Sequence, residues 1–372
     1  MTARPRTLVV LVVVLTLLGC GGDGGGGDDA GAVPEPTTTT AAPTCEPGPA
    51  TAAPAGAVTQ PPQPRCGPGG NDYGHADWRI SEGGTGSDAW FTFEPVDPAP
   101  EDAPVAVILH GYYEFAGFGS HHELIRHTVR HGTIVIYPRW QTGVSEPCPG
   151  PYDIEPCVTS AVNGIRGALE HLTGDPDRVQ PRLDEVSYYG HSFGGIVTTN
   201  LANRWEDLEL PEPRAVFLDD PHDGGLDGPG EPAVDDSLEG IPSRTLFQCH
   251  SSAAGVISEA GKEGSSCNAI LPLLDHLPAE ARDLVLTTGD DHGDPDLVAP
   301  HGVCRADEGE ADAYDWGFCW KVWDALRSAA LDDGRYAEYA LGDTPEHRSN
   351  GEWSDGTEIA PLRIRDTAPI RP

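Results

Sequence analysis

The stretch Glu185-Val186-Ser187-Tyr188-Tyr189-Gly190-His191-Ser192-Phe193-Gly194-Gly195-Ile196 decides how this chain is read. Glu185 to Tyr189, with Val186, Tyr188 and Tyr189, has the composition of a short buried strand, and the residues from Ile196 to about Leu208 continue as a helix. Between them Gly190 to Gly194 fits G-x-S-x-G. Glycines on both sides let the backbone bend sharply, so that the Ser192 hydroxyl stands out of the sheet above a helix N-terminus. Ser192 is therefore the candidate nucleophile. The pentapeptide alone recurs by chance in a chain with 46 glycines, so the reading rests on strand, elbow and helix in succession. The alternative is a tight turn whose serine only caps the helix.

Further strands are expected at Ala89 to Phe93, Val105 to Leu109, Thr133 to Tyr137, Arg214 to Leu218, Arg244 to Cys249 and Asp283 to Thr287. Helical patterns lie between most of them, at His121 to Arg130, Val158 to Leu172, Phe193 to Leu208, Asn268 to Leu277 and Trp316 to Leu331. Short β-rich runs alternating with helices predict an α/β fold, a mostly parallel twisted sheet with helices on both faces. Trp316, Trp320 and Trp323 at helical spacing read as core. His121, His122, His127 and His131 read as exposed helix positions and not as a metal site. The acidic run Asp290, Asp291, Asp294 and Asp296 lacks the spacing of a calcium loop.

The strand Val107-Ile108-Leu109 ends at His110-Gly111-Tyr112. Acyl transfer needs two backbone donors for the oxyanion. One is expected just after the nucleophile, at Phe193, and the other in the loop after the earlier strand, at Tyr112, with His110 packed beneath it.

These residues resemble the chlorophyllase branch of the α/β-hydrolases, whose motifs overlap those of related bacterial esterases and polyester hydrolases. The likeness lies in His110-Gly111-Tyr112, Leu124, His127, His131 to Val135 with Pro138, Gly190 to Gly195, Asp220-Pro221-His222-Asp223-Gly224 and, more loosely, Asp291 to Asp294. It covers roughly residues 104 to 297 and implies an α/β-hydrolase fold and a cofactor-free serine hydrolase of carboxylic esters, with Asp220 as the acid. The chain itself points the same way: after the seventh strand, Cys249-His250-Ser251-Ser252 offers no carboxylate before Glu259, which favours Asp219, Asp220 or Asp223. Pro221 is expected to hold Asp220 extended. The base is placed at His292, just past the last strand, with His301 as the rival that sequence order also permits. Ser192, Asp220 and His292 then form the expected triad, with Tyr112 and Phe193 at the oxyanion. The competing reading is a lipoprotein that uses a hydrolase fold as a binding module.

Arg4 and Arg6 precede the apolar run Leu8 to Leu18, which is too short to span a bilayer comfortably and ends in Gly19-Cys20. The run resembles a bacterial lipobox, which implies a signal peptide at 1–19 and a lipidated Cys20. Residues 20–65, rich in Gly, Thr and Pro, are expected to form a disordered tether, 66–344 the catalytic domain and 345–372 a polar tail. A net charge of −36 disfavours nucleic acid, anionic headgroups and anionic substrates. The expected substrate is a neutral, partly apolar ester and the expected membrane contact is through lipid only; no metal is expected, and the chain is taken as a monomer. Eight further cysteines in an exported chain predict the local disulfides Cys45–Cys66, Cys148–Cys157, Cys249–Cys267 and Cys304–Cys319.

Overall fold

The computed structural model describes residues 56–143, 146–148, 153–222, 234–252 and 266–366, all of which belong to the compact unit Cys45–Pro372. Seven strands coincide with those expected: β2 (Trp90–Val96), β3 (Asp102–Leu109), β4 (Ile134–Pro138), β5 (Gln180–His191), β6 (Pro213–Asp219), β7 (Leu246–Ser252) and β8 (Arg282–Thr287). Two more, β1 (Asp77–Gly83) and β9 (Arg363–Arg365), were not expected from the sequence. They pair in the order β1-β2-β4-β3-β5-β6-β7-β8-β9. The run β4-β3-β5-β6-β7-β8 is parallel throughout, and β1, β2 and β9 add antiparallel edges.

Burial on both faces explains why the parallel strands read as continuous apolar runs. Along β3, Val105, Val107 and Leu109 join one core, whereas Ala106 and Ile108 join the other. The helices α2 (Glu155–Thr173) and α3 (Phe193–Asn203) cover the first face. The second is covered by α1 (His122–Arg130) and by a π-helical turn at Asp315–Cys319 that runs into a helix at Trp320–Leu331. The fold is the α/β-hydrolase arrangement, with its sharp strand-to-helix elbow after β5. Trp320 and Trp323 are core, as expected. His121 and His127, in contrast, are buried and not exposed. His127 stacks on Trp320 and lies between the Tyr73 hydroxyl and Asp324 Oδ2.

The outer segments depart further from expectation. Val58, Thr59 and Gln60, placed in the tether, bond to Asp294, Ser354, Pro295 and Ala313 of the domain. The tail expected to be polar buries Trp353, Ile359, Leu362 and Ile364 and supplies β9 to the edge of β8. Its apolar residues are widely spaced, which hides a short edge strand from a composition reading. Burying such side chains stabilises a fold by about 1.5–3 kcal/mol each. Deleting residues 345–372 is therefore expected to remove most of the folded population, read as loss of soluble protein and of a cooperative melt.

Three disulfides are present as expected, Cys148–Cys157, Cys249–Cys267 and Cys304–Cys319. They point to an oxidising, extracytoplasmic compartment. Cys45, the fourth pair's first member, lies outside the described residues, as do the expected signal peptide and Cys20. Among the described residues no helix is long and apolar enough to cross a membrane.

Candidate active site

Strand β5 ends at His191 and α3 begins at Phe193, leaving Ser192 between them at φ +53° and ψ −123°. That is left-handed backbone, costly for a residue with a Cβ and characteristic of functional elbows. Close approach fixes the neighbouring glycines: a Cβ on Gly190 would lie 2.3 Å from Thr198 Oγ1, and one on Gly194 2.3 Å from the His110 carbonyl. The bend is further held by Ser192 N–H donating to the Asp219 carbonyl at 3.0 Å, while the Ser192 carbonyl accepts from Gly195 and His222 amides. Ser192 is thus an elbow residue and not a helix cap; its side chain caps nothing in α3.

His301, not His292, stands against the serine. His301 Nε2 lies 2.8 Å from Ser192 Oγ, and its Nδ1 faces Asp220 Oδ2 at 3.8 Å. The structure does not bring His292, the expected base, to the serine, and the path after β8 explains why. Asp290 and Leu297 exchange both backbone hydrogen bonds, closing a turn that carries His292 outward. There His292 Nε2 meets Asp355 Oδ2 at 2.9 Å, with both side chains well exposed. Beyond Leu297 the chain turns back and brings His301 to Ser192. Burial first, and then the nearby His191, push the His301 imidazole below its usual value, with Asp220 and Asp219 opposing. It is therefore neutral and able to accept a proton near neutral pH.

Asp220 is where the sequence places it, but its backbone is left-handed at φ +44° and not extended. Its contacts hold it so. Its amide donates to the His250 carbonyl, Oδ1 accepts from the Ser252 amide at 2.6 Å and the Ser251 hydroxyl at 3.3 Å, and Oδ2 accepts from the Gly302 amide at 2.8 Å. One carboxylate, just past the end of β6, thus ties the end of β7 to the loop after β8. The neighbouring Asp219 points the other way, into the core, where it accepts from Tyr189 Oη at 2.9 Å and pairs with His250 Nδ1 at 2.8 Å. Asp223, the third carboxylate considered, lies outside the described residues.

The two expected oxyanion residues are adjacent, with the Tyr112 and Phe193 rings 5.2 Å apart. Phe193 opens α3, so its amide has no partner within that helix. His110 is fully buried beneath the loop, as expected, stacked on Trp140. Four contributors escaped the sequence reading: Glu114, His191, Gly302 and Arg305. None carried a local signal that sequence could use, since a glycine follows His292 as well as His301.

Glu114, His121 and His191 bring donor atoms within 4.8 Å of one another. Glu114, however, already accepts from the Gly111 amide and pairs with the Arg305 guanidinium, whose charge opposes a second cation. The cluster is an ion-pair network.

No family model matches the sequence, and no curated protein matches it. Among solved structures the chain is similar to the esterase rPPE, at 14% identity and TM-score 0.35, over 48% of this chain and 65% of that one. It is similar to a thermostable esterase from Pseudomonas putida ECU1011, at 15% identity and TM-score 0.34, over 48% and 65%. A structure from a study of two fungal esterases of Rhizomucor miehei matches at 15% identity and TM-score 0.33, over 46% and 49%. Each match spans less than two thirds of the solved chain, and the likeness is one of distant fold that does not single out the chlorophyllase branch.

Proposed function

We propose that this protein is an extracytoplasmic serine hydrolase that cleaves carboxylic esters through an acyl-enzyme at Ser192. The reading rests on one observation above the others, the 2.8 Å approach of His301 Nε2 to the hydroxyl of a serine held at positive φ. In this scheme His301 takes the Ser192 proton as Oγ attacks the ester carbonyl. The amides of Tyr112 and Phe193 receive the oxyanion, and His301 returns the proton to the leaving alcohol. Water, with His301 again as base, then releases the acid. Asp220 stabilises the imidazolium; the 3.8 Å gap to Nδ1 closes to a hydrogen bond by a small ring rotation when substrate is bound. The strong negative charge favours a neutral ester with an apolar portion.

The test is labelling with a fluorophosphonate probe, followed by a p-nitrophenyl ester series of increasing acyl length. Labelling of the parent and none of Ser192→Ala is expected. Equal labelling of the two would remove Ser192 from the chemistry, and an unlabelled, inactive parent would favour the binding-module reading.

Two further expectations belong to this reading. The acid limb of kcat/KM should have its midpoint below the ordinary imidazole value of about 6.5, because activity requires neutral His301 and burial lowers its affinity for a proton. A midpoint above that value would contradict the electrostatics described. Lipidation at Cys20 predicts that full-length protein in a bacterial host partitions into membranes and that Cys20→Ser releases it or stalls processing; equal partitioning would remove the anchor.

A further inference from the structure

His191, the variable residue of the G-x-S-x-G motif, is buried between two loops that never touch it in sequence. On one side a Cβ at Gly111 would come within 2.7 Å of His191 Nδ1; on the other, a Cβ at Gly302 would come within 2.3 Å of Nε2. The imidazole is therefore packed between the bare backbone of the oxyanion loop and that of the loop carrying His301. Glu114 closes this arrangement. Its Oε2 accepts from the Gly111 amide at 2.7 Å, and its own amide donates back to the Gly111 carbonyl. Its Oε1 faces His191 Nδ1 at 3.1 Å and pairs with Arg305. Arg305 in turn donates to the carbonyls of His301 and Gly302.

We infer that Glu114 is a positioning residue that holds the oxyanion loop, the residue before the nucleophile and the base-bearing loop in one register, acting on catalysis through Gly111, His191 and Arg305. The inference rests on the proposed ester hydrolysis. Burial alone would raise the Glu114 carboxyl, but its contact with His191 and its pair with the Arg305 guanidinium outweigh it and hold the group ionised, so it is a permanent anion at the centre of the network. The groups that face His301 are Ser192 and His191 at the end of β5, Asp219 and Asp220 at the end of β6, His222 just beyond, and Arg305 on its own loop. Glu114 neutralises Arg305 within that set.

The experiment compares kcat and KM across pH for the parent, Glu114→Gln, Arg305→Gln and the double variant, on p-nitrophenyl acetate. Glutamine keeps an acceptor for the Gly111 amide but removes the charge. Glu114→Gln should lower kcat about 10- to 100-fold, the scale of a small misplacement of reacting groups, with little change in KM. It should also move the acid limb to lower pH, because an unneutralised Arg305 makes His301 harder to protonate. Arg305→Gln should lower kcat as well but move the limb to higher pH, and the double variant should be no worse than the poorer single one. A parent-like kcat and limb in Glu114→Gln, or losses that multiply in the double variant, would overturn the inference. If Glu114→Gln is not recovered folded, Arg305→Gln carries the same test, and a parent-like limb there overturns it equally. A parent that neither labels with fluorophosphonate nor turns over would overturn the proposed hydrolysis and this inference with it. An active parent with an unaffected Glu114→Gln would overturn this inference alone.

Discussion

Replacing His301 by alanine is expected to lower ester turnover on the order of ten-thousandfold or more, whereas replacing His292 leaves it close to the parent value. The contrast follows from position. His301 Nε2 is within hydrogen-bond reach of the Ser192 hydroxyl, so its removal takes away the only imidazole placed to accept that proton among the described residues. His292 pairs with Asp355 on an exposed turn, where loss of the pair costs little. Steady-state kinetics on a short p-nitrophenyl ester decides between them. A collapse in His292→Ala with activity retained in His301→Ala would require the chain after β8 to follow a different path.

The second large effect is expected at Asp220. Asp220→Asn should keep the fold but reduce kcat on the order of ten-thousandfold, the scale seen when the acid of a serine triad becomes an amide. The carboxylate accepts from amides on both sides, Ser252 at Oδ1 and Gly302 at Oδ2. An asparagine can accept on only one of them, and its NH2 must face a donor on the other. It also brings no charge to stabilise the imidazolium. Asp219→Asn should behave in the opposite way, lowering the unfolding midpoint through its buried contacts with Tyr189 and His250 while folded molecules keep much of their turnover. Thermal melts and kcat measured on the same preparations separate the two. If Asp220→Asn retained parent turnover, the acid would have to be sought elsewhere.

The core of the architecture was legible because parallel strands buried on both faces must be almost wholly apolar, and the six such runs stand out against polar connections. The elbow was legible for a related reason: a Cβ at Gly190 would strike the Thr198 side chain and one at Gly194 the His110 backbone. What escaped were features with no local signature. Strand β9 is three residues of alternating charge and Ile364, and only its pairing with β8 makes it a strand. The choice between His292 and His301 turned on whether residues 290–297 fold back on themselves, a long-range property of two backbone hydrogen bonds. Glu114 lies in an unpatterned loop, and nothing in its neighbourhood shows that His191 and Arg305 converge on it from 77 and 191 residues away. The helical histidines were misplaced for the converse reason: polar residues were read as outward-facing, but Asp324 supplies the buried partner that lets His127 lie inside.

The Cys304–Cys319 bridge begins three residues after His301 and fastens that loop to the turn leading into the helix at Trp320–Leu331. Without the bridge the loop that carries His301 would be held only by non-covalent contacts, among them the Gly302 amide on Asp220 and the Arg305 pair with Glu114. On the proposed reading, closure of the bridge would add a covalent limit to how far the imidazole can wander from Ser192.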